Sequence, residues 1–401
     1  MSSETRDWIQ HLTVTEMETN TDTVFARLRR EAPLAYIPAI GAWVASTWEL
    51  CMQIPSSDGF VGGTSLVHER VFGVPHVGLT DGEQHKRLRA AIDPPLRPRG
   101  FAGRLEEQIR PLAKAQIEKI REQGSAELMA DYFEPVSVRS VGDVLGFTET
   151  DDVTLRRWFH QLSSGIANLA MDENGNFANP SGFIAADTAK AEIRSMVEGL
   201  ARRPAAEVTG IVAHWLYAED RPGQAGDLAE LYPTLHVLLL GGLQEPGHAC
   251  GSTFLGLNTQ PDLLERVAKD KSLIGAAINE GLRWISPLYS GSSRRPPQDC
   301  VLAGQDVKAY DTVWLAYGSA NRDESEFPSS EIYDIDRQAH RHLAFGRGRH
   351  TCSGAAFAPQ VARIAMEELF GNFPGIRLDP VHEPEVRGWI FRGPRELRAI
   401  W

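Results

Sequence analysis

The sequence predicts a mainly α-helical fold with a smaller β region. Five long stretches repeat apolar residues at helical spacing, two shorter stretches read as strands, and nothing cuts the chain into parts. In chain order, Leu34 to Val44 alternates apolar and polar residues between Pro and Gly breaks, as short strands do. From Asp81 onward helical patterning takes over. Arg104 to Arg121, Val153 to Leu169, Ala185 to Ala201, Leu231 to Gly256 and Leu273 to Trp284 all carry a period near 3.6. Asp172 to Pro180 is rich in Asn, Gly and Asp and reads as a surface turn. Asp299 to Trp314 returns to strand character through Val301, Leu302, Val307, Val313 and Trp314. No Pro/Gly/Ser linker, repeat or low-complexity tract interrupts the 401 residues, so residues 1–401 are expected to form a single domain.

Composition excludes several classes. A net charge of −12 argues against nucleic-acid binding through the whole surface. The longest strongly apolar run, Val237 to Leu243, falls far short of the ~20 residues that span a bilayer. Met1 to Asp7 has no apolar stretch of signal-peptide type, so a cytoplasmic chain without a membrane segment is expected. The four cysteines, Cys51, Cys250, Cys300 and Cys352, are scattered and form no C-x-x-C pair. That spacing fits a reducing compartment better than a disulfide scaffold or a zinc site.

One cysteine stands in a special setting. Phe345 to Gly354 reads F-G-R-G-R-H-T-C-S-G. Its glycines let the backbone turn tightly and lie flat against a large planar group. A helix-like segment follows, with Val361, Ile364, Ala365 and Leu369 on one face. A cysteine just before a helix N-terminus has its anion favoured by free N–H groups. A lone C-x-G would describe only a structural cysteine in a turn. The ten-residue run resembles the haem-binding signature of the cytochrome P450 family at every defining position. The resemblance implies a single-domain cytochrome P450 fold holding haem b, its iron ligated by the Cys352 thiolate, with Phe345, Gly346, His350 and Gly354 around it.

Other segments extend the likeness. Glu280 and Arg283 sit at i and i+3, a spacing that alone describes an ordinary helix-surface pair. The family's E-x-x-R meets a second arginine downstream, and Arg337 stands at that place, implying a network that fixes the loop presenting Cys352. His85 and Arg89, at i and i+4, otherwise read as a solvated basic face. The family uses such a pair on a haem propionate, with His350 and Arg294 at further contact positions.

The central helix departs from the wider family. In Leu240-Gly241-Gly242-Leu243-Gln244-Glu245-Pro246-Gly247-His248, Gln244 and Glu245 stand where most members carry an acid and a threonine. Pro246 breaks an intrahelical hydrogen bond there. A carboxyl beside bound oxygen suits general-acid work, so Glu245, Gln244 and Pro246 are the catalytic candidates. The alternative turns Glu245 away into a salt bridge and leaves the groove to Pro246 alone.

This run and Asp172–Gly175, Pro135–Ser140, Tyr317–Asn321 and Phe391–Pro394 resemble bacterial guaiacol and 4-alkylguaiacol O-demethylases. The resemblance implies oxidative O-demethylation of a small aromatic ether to a catechol and formaldehyde, using O2. It places the substrate among Phe72, Ile166, Val237, Gly241, Gly291, Ser292 and Phe391. Ile166 stands where a third phenylalanine is expected, and Gly291 is minimal in volume, which together imply room for a 4-alkyl chain. No dinucleotide motif or cluster-forming cysteine set is present, so electrons are expected from a separate reductase. The subfamily implies one bearing FAD and 2Fe-2S, driven by NADH. Arg341, Arg347 and Arg349 form a basic patch for docking it. The rival readings are a hydroxylase of a terpene, a steroid or another small apolar substrate, a peroxide-driven peroxygenase, and a haem sensor without turnover.

Overall fold

The alternating stretch near the N-terminus folds as two strands, β1 (Leu34–Ile37) and β2 (Ala42–Ala45). The computed structural model describes residues 1–63, 66–167, 177, 180–217, 227–243, 245–338 and 341–401. In it β1 and β2 pair antiparallel, Leu34 opposite Ala45. Three more strands complete this sheet: β3 (Val61–Gly62), β4 (Ser292–Arg295) and β5 (Val313–Leu315), in the order β1–β2–β5–β4–β3. β5 lies parallel to β2, with Val44 opposite Trp314, and antiparallel to β4, with Ser293 opposite Trp314. β4 was not expected, because Ser-Ser-Arg-Arg carries no strand pattern; its Ser293 and Arg294 are buried by what packs on them. The Asp299–Trp314 stretch resolves into a hairpin, Cys300–Leu302 with Gln305–Val307, followed by β5.

Helices make up most of the rest. Those that frame the site are α1 (Leu66–Phe72), α2 (Gly82–Leu96), α3 (Arg104–Ile120), α4 (Glu134–Leu145), α5 (Asp152–Ile166) and α6 (Pro180–Leu200). They continue with α7 (Leu228–Leu243), α8 (Glu245–Asn258), α9 (Ile274–Trp284) and α10 (Ala358–Asn372). The expected mainly helical fold with a smaller sheet region is observed.

Packing explains which elements the periodicity missed. α4 is buried almost all round, from Val136 to Leu145, so it has no polar face to mark a period. α8 crosses α9 closely because Gly281 is small: a Cβ there would stand 2.5 Å from Thr253 Oγ1. α10 buries Val361, Ile364, Ala365 and Leu369 as patterned, and each large aliphatic among them contributes about 1.5–3 kcal/mol.

The stretch expected as one helix, Leu231 to Gly256, is two. α7 ends at Leu243 and α8 begins at Glu245, either side of Gln244, which lies outside the described residues. Pro246 has no N–H to offer the Gly242 carbonyl, so the ladder loses a rung at this joint. Most of the Asp172–Pro180 turn also lies outside the described residues. Among the described residues no helix is long and apolar enough to cross a membrane.

Candidate active site

The loop before α10 is built by backbone geometry. Gly346 and Gly348 hold φ of +66° and +74°, and a Cβ on Gly348 would come within 2.3 Å of the Pro55 carbonyl oxygen. The Cys352 N–H donates to the Phe345 carbonyl at 2.9 Å, closing the loop across its neck. The Gly354 N–H then donates to Cys352 Sγ at 3.3 Å. The sequence placed a helix N-terminus directly behind the cysteine. Instead a short turn, Ser353–Ala355, intervenes and α10 starts at Ala358, so one N–H, not a helix end, meets the sulfur.

Cys352 is accessible to solvent, yet protein surrounds it closely enough that burial is the largest influence on its thiol. The two observations agree if the sulfur faces a space enclosed by the fold. Burial pushes the thiol up, the Gly354 N–H and Arg89 pull it down, and Glu245 and Asp93 raise it. Glu245, on the first turn of α8, is therefore in electrostatic contact with Cys352 although 107 positions separate them in sequence. Gly241, one turn earlier on α7, opens on the same region: a Cβ there would meet nothing within 4 Å.

Glu245 Oε2 is buried without a hydrogen-bond partner among the described residues. Burial alone pushes its carboxyl up to about 8, which favours the protonated form at neutral pH. Among the described residues Glu245 forms no salt bridge. Pro246 is buried behind it.

A second group of atoms faces the cysteine loop from α2 and β4. His85 and His350 lie against one another, ring centroids 4.4 Å apart and planes tilted by 50°. His350 Nε2 lies 3.0 Å from Asp81 Oδ1, while its Nδ1 has no partner among the described residues. His85 Nε2 and Arg294 Nη2 are likewise buried and unpaired among the described residues. Arg294 Nη1 donates to the Ser293 carbonyl at 2.7 Å and to Ser292 Oγ at 3.2 Å. Burial, then Arg294, holds His350 down at about 4. Arg89 is more engaged: Nη1 donates to the Thr351 carbonyl at 2.6 Å and Nε meets Asp93 at 2.8 Å. Arg294 Nη2 is a donor without an acceptor, and His350 Nδ1, whose ring already gives its Nε2–H to Asp81, can donate only as the imidazolium; carboxylates placed here supply both the acceptor and the counter-charge. The residues present thus fit haem, with Cys352 on the iron, His85, His350 and Arg294 toward the propionates, and Arg89 bracing the cysteine loop.

Glu280, Arg283 and Arg337 do come together. Arg283 grips Glu280 through Nε at 2.8 Å and Nη2 at 2.6 Å, and Arg337 Nε reaches the same carboxylate at 3.4 Å. Arg283 Nη1 donates to the Asn321 and Ser330 carbonyls, both at 2.9 Å. Asn321 Oδ1 in turn accepts from the Leu343 N–H at 2.7 Å, two residues before Phe345. A continuous chain of bonds runs from α9 to the cysteine loop.

The pocket candidates fall into two groups. Phe72 and Ile166 end α1 and α5, and Val237 sits one turn before Gly241 on α7. Gly291 and Ser292 lie at β4, and Phe391 bridges to Leu288. A run of ring contacts joins the groups: Phe72 stacks on His68 at 5.8 Å, His68 on Trp314 at 5.9 Å, and Trp314 meets Trp389 in a tilted pair at 5.6 Å. Gly291 provides no extra room, because a Cβ there would stand 2.5 Å from Leu288 Cδ1. Ser292 spends its hydroxyl on Arg294.

Comparison with known proteins identifies the architecture. The cytochrome P450 family model matches residues 268–386. The mycinamicin IV hydroxylase/epoxidase of Micromonospora griseorubida is 27% identical over 395 residues, 94% of each chain. Biflaviolin synthase of Streptomyces coelicolor is 28% identical over 400 residues, 95% of this chain and 93% of that one. A myxobacterial cytochrome P450 solved with myristic acid superposes with a TM-score of 0.84 at 25% identity, covering 97% of this chain and 98% of its own.

The chain has the cytochrome P450 fold and is similar to that family over nearly its whole length.

Several residues of this cytochrome P450 site were not found from sequence. His68, His76 and His236 are buried beside the pocket candidates, and burial holds His68 and His236 down at about 4 and His76 at about 3. Asp81 was also missed. Burial raises its carboxyl, but the Gly62 N–H, His350 and Arg349 outweigh that and hold it below its usual range. A histidine spacing of eight, His68 to His76, followed by His85, was the only available signal. Of the basic patch, Arg341 pairs with Glu326 at 2.6 Å and Arg349 with Asp81 at 3.3 Å, while Arg347 is exposed.

Proposed function

We propose that this cytochrome P450 monooxygenase O-demethylates a methoxyphenol, a guaiacol or 4-alkylguaiacol, to a catechol and formaldehyde. The observation that carries the reading is Glu245, a buried carboxyl without a partner among the described residues, in electrostatic contact with the cysteine that would hold the iron. Most of the family carries threonine at this place, so the chain brings its own proton donor to the joint between α7 and α8.

When bound, haem supplies O2 activation and hydroxylation of an unactivated C–H bond. Cys352 would hold the iron, and a bound cation would reverse the preference of the buried thiol for its proton. His85, His350 and Arg294 would take the propionates. Glu245 would hold a proton on its carboxyl and deliver it into the space in front of Cys352, with burial keeping bulk water from levelling its acidity. Phe72 and Phe391 offer flat apolar walls for a one-ring substrate, and the open side of Gly241 leaves space beside the α7–α8 joint. The overall change is one methyl ether, one O2, two electrons and two protons to one catechol, one formaldehyde and one water. The electrons come from a separate reductase, which we assign to the FAD, 2Fe-2S and NADH type, docking near Arg341, Arg347 and Arg349. The substrates named for the relatives above are other molecules, so the ether reading rests on this chain's own residues.

Titration of the haem-loaded protein with guaiacol and 4-propylguaiacol, followed at the Soret band, tests the reading. A saturable shift, with formaldehyde formed under turnover, supports it; no shift from either ligand on intact holoprotein removes the substrate assignment. Glu245 also favours a second reading, direct use of peroxide, which turnover without any reductase would support.

A further inference from the structure

A separate cleft lies on the outer side of Phe72. It has a volume of about 550 Å³, opens to solvent, and is walled by one face of α6, one face of α7 and the end of α1. From α6 it takes residues at helical spacing, Asp187, Lys190, Ala191, Arg194 and Glu198; from α7 it takes Ala229, Tyr232, Pro233 and His236.

Its floor has an unusual polarity. His236 is 5% exposed, and its Nδ1 lies 2.8 Å from the Phe72 carbonyl oxygen. A carbonyl only accepts, so Nδ1 carries the proton and Nε2 is left as a bare acceptor. That Nε2 is buried with no partner among the described residues. One turn earlier the Tyr232 hydroxyl is buried too; Glu198 approaches it without reaching hydrogen-bond distance. The charges on the walls balance. Asp187 is paired to both Arg70 and Lys190, and the Arg194 guanidinium lies over the Tyr232 ring at 5.1 Å. Formal charge on a ligand therefore gains little here, whereas a hydroxyl donor gains the acceptor that the protein leaves unpaired. The flat faces of Tyr232, Pro233 and Phe72 suit a single aromatic ring, and the volume lies in the range that holds one small molecule.

We infer that this cleft is a second binding site for a small neutral phenol, whose hydroxyl donates to His236 Nε2. Because His236 also fixes the Phe72 backbone, an occupant of the outer site bears directly on a wall of the interior pocket. The site stands apart from the demethylation reading, since nothing in it touches Cys352 or Glu245.

The test uses the haem-loaded protein, its interior pocket first filled with 4-phenylimidazole, with 4-fluorophenol and 4-fluoroanisole observed by ¹⁹F line broadening, in the wild type, in Ala191→Trp and in His236→Phe. Ala191 is exposed on α6, so a tryptophan there fills the cleft without disturbing the core. Broadening of the phenol should exceed that of the anisole at least fivefold and fall at least fivefold in both variants, with the Soret titration of Ala191→Trp unchanged. Equal broadening of phenol and anisole, or broadening that survives Ala191→Trp, would overturn the inference. The Soret titration reads the interior site alone, so failure of the demethylation reading shows there and not in the cleft variants.

Discussion

Removing the Glu280 carboxylate tests whether the ion-pair network holds the cysteine loop. Arg283 is 1% exposed at its side chain and takes its charge compensation from Glu280 through two bonds. In Glu280→Gln the carbonyl oxygens of Asn321, Ser330 and Ile332 still accept, but no anion remains beside the buried guanidinium. Breaking a buried pair from one side costs about 3–5 kcal/mol. Arg283→Leu should fall nearer 3 kcal/mol, because Glu280 keeps the Asp334 N–H at 3.0 Å and Arg337 at 3.4 Å. Arg337→Ala, at the longer contact, should cost about 1–2 kcal/mol. The double change Glu280→Leu/Arg283→Leu removes both members of the tight pair and leaves only Arg337, at the longer contact, without its anion, so its cost should undercut the sum of Glu280→Leu and Arg283→Leu by at least about 2 kcal/mol. Urea unfolding followed by far-ultraviolet circular dichroism gives each midpoint, and haem content of the purified protein reports the loop. Haem retention should drop with stability, because Asn321 ties the network to Leu343. An unchanged midpoint in Glu280→Gln, or strictly additive costs in the double variant, would refute the reasoning.

Other outcomes follow from single residues. Glu245→Gln should lower turnover by about 10²-fold or more while leaving the Soret titration intact, since it removes the proton and keeps the shape; an unchanged turnover number would show that Glu245 is not the donor. Gly348→Ala should cost at least about 2 kcal/mol, because it combines a φ of +74° with a 2.3 Å clash on Pro55. Gly241→Ala meets nothing within 4 Å and should leave the urea midpoint equal or raised by up to about 1 kcal/mol, yet weaken the guaiacol-induced Soret shift. Burial holds His68, His236 and His342 down at about 4. Between pH 6.5 and 4 the unfolded chain therefore binds protons that the folded one refuses, so stability falls as pH falls, by about 1.4 kcal/mol per pH unit for each histidine. A urea midpoint flat across that interval would contradict this.

How much was legible in the sequence depended on whether a residue's partner was local. The cysteine loop was readable because glycine, histidine and cysteine at fixed spacing are local demands of a tight turn. The i, i+3 pair of Glu280 and Arg283 was readable for the same reason, and helices with one wet face, such as α3 and α10, announced themselves by period. α4 did not, being apolar or small on nearly every side, and β4 became a strand only because β5 and β3 flank it. The reach of Arg294 and His85 into one patch with His350 depends on three elements more than fifty residues apart. So does the direction of Glu245, which sequence left open between a salt bridge and the oxygen side. Burial of its Oε2 without a partner decided it, because a carboxyl with no cation in reach among the described residues favours its proton. Sequence determined which groups could do chemistry; the tertiary structure decided which of them meet, since desolvation and hydrogen bonding act through space and not along the chain.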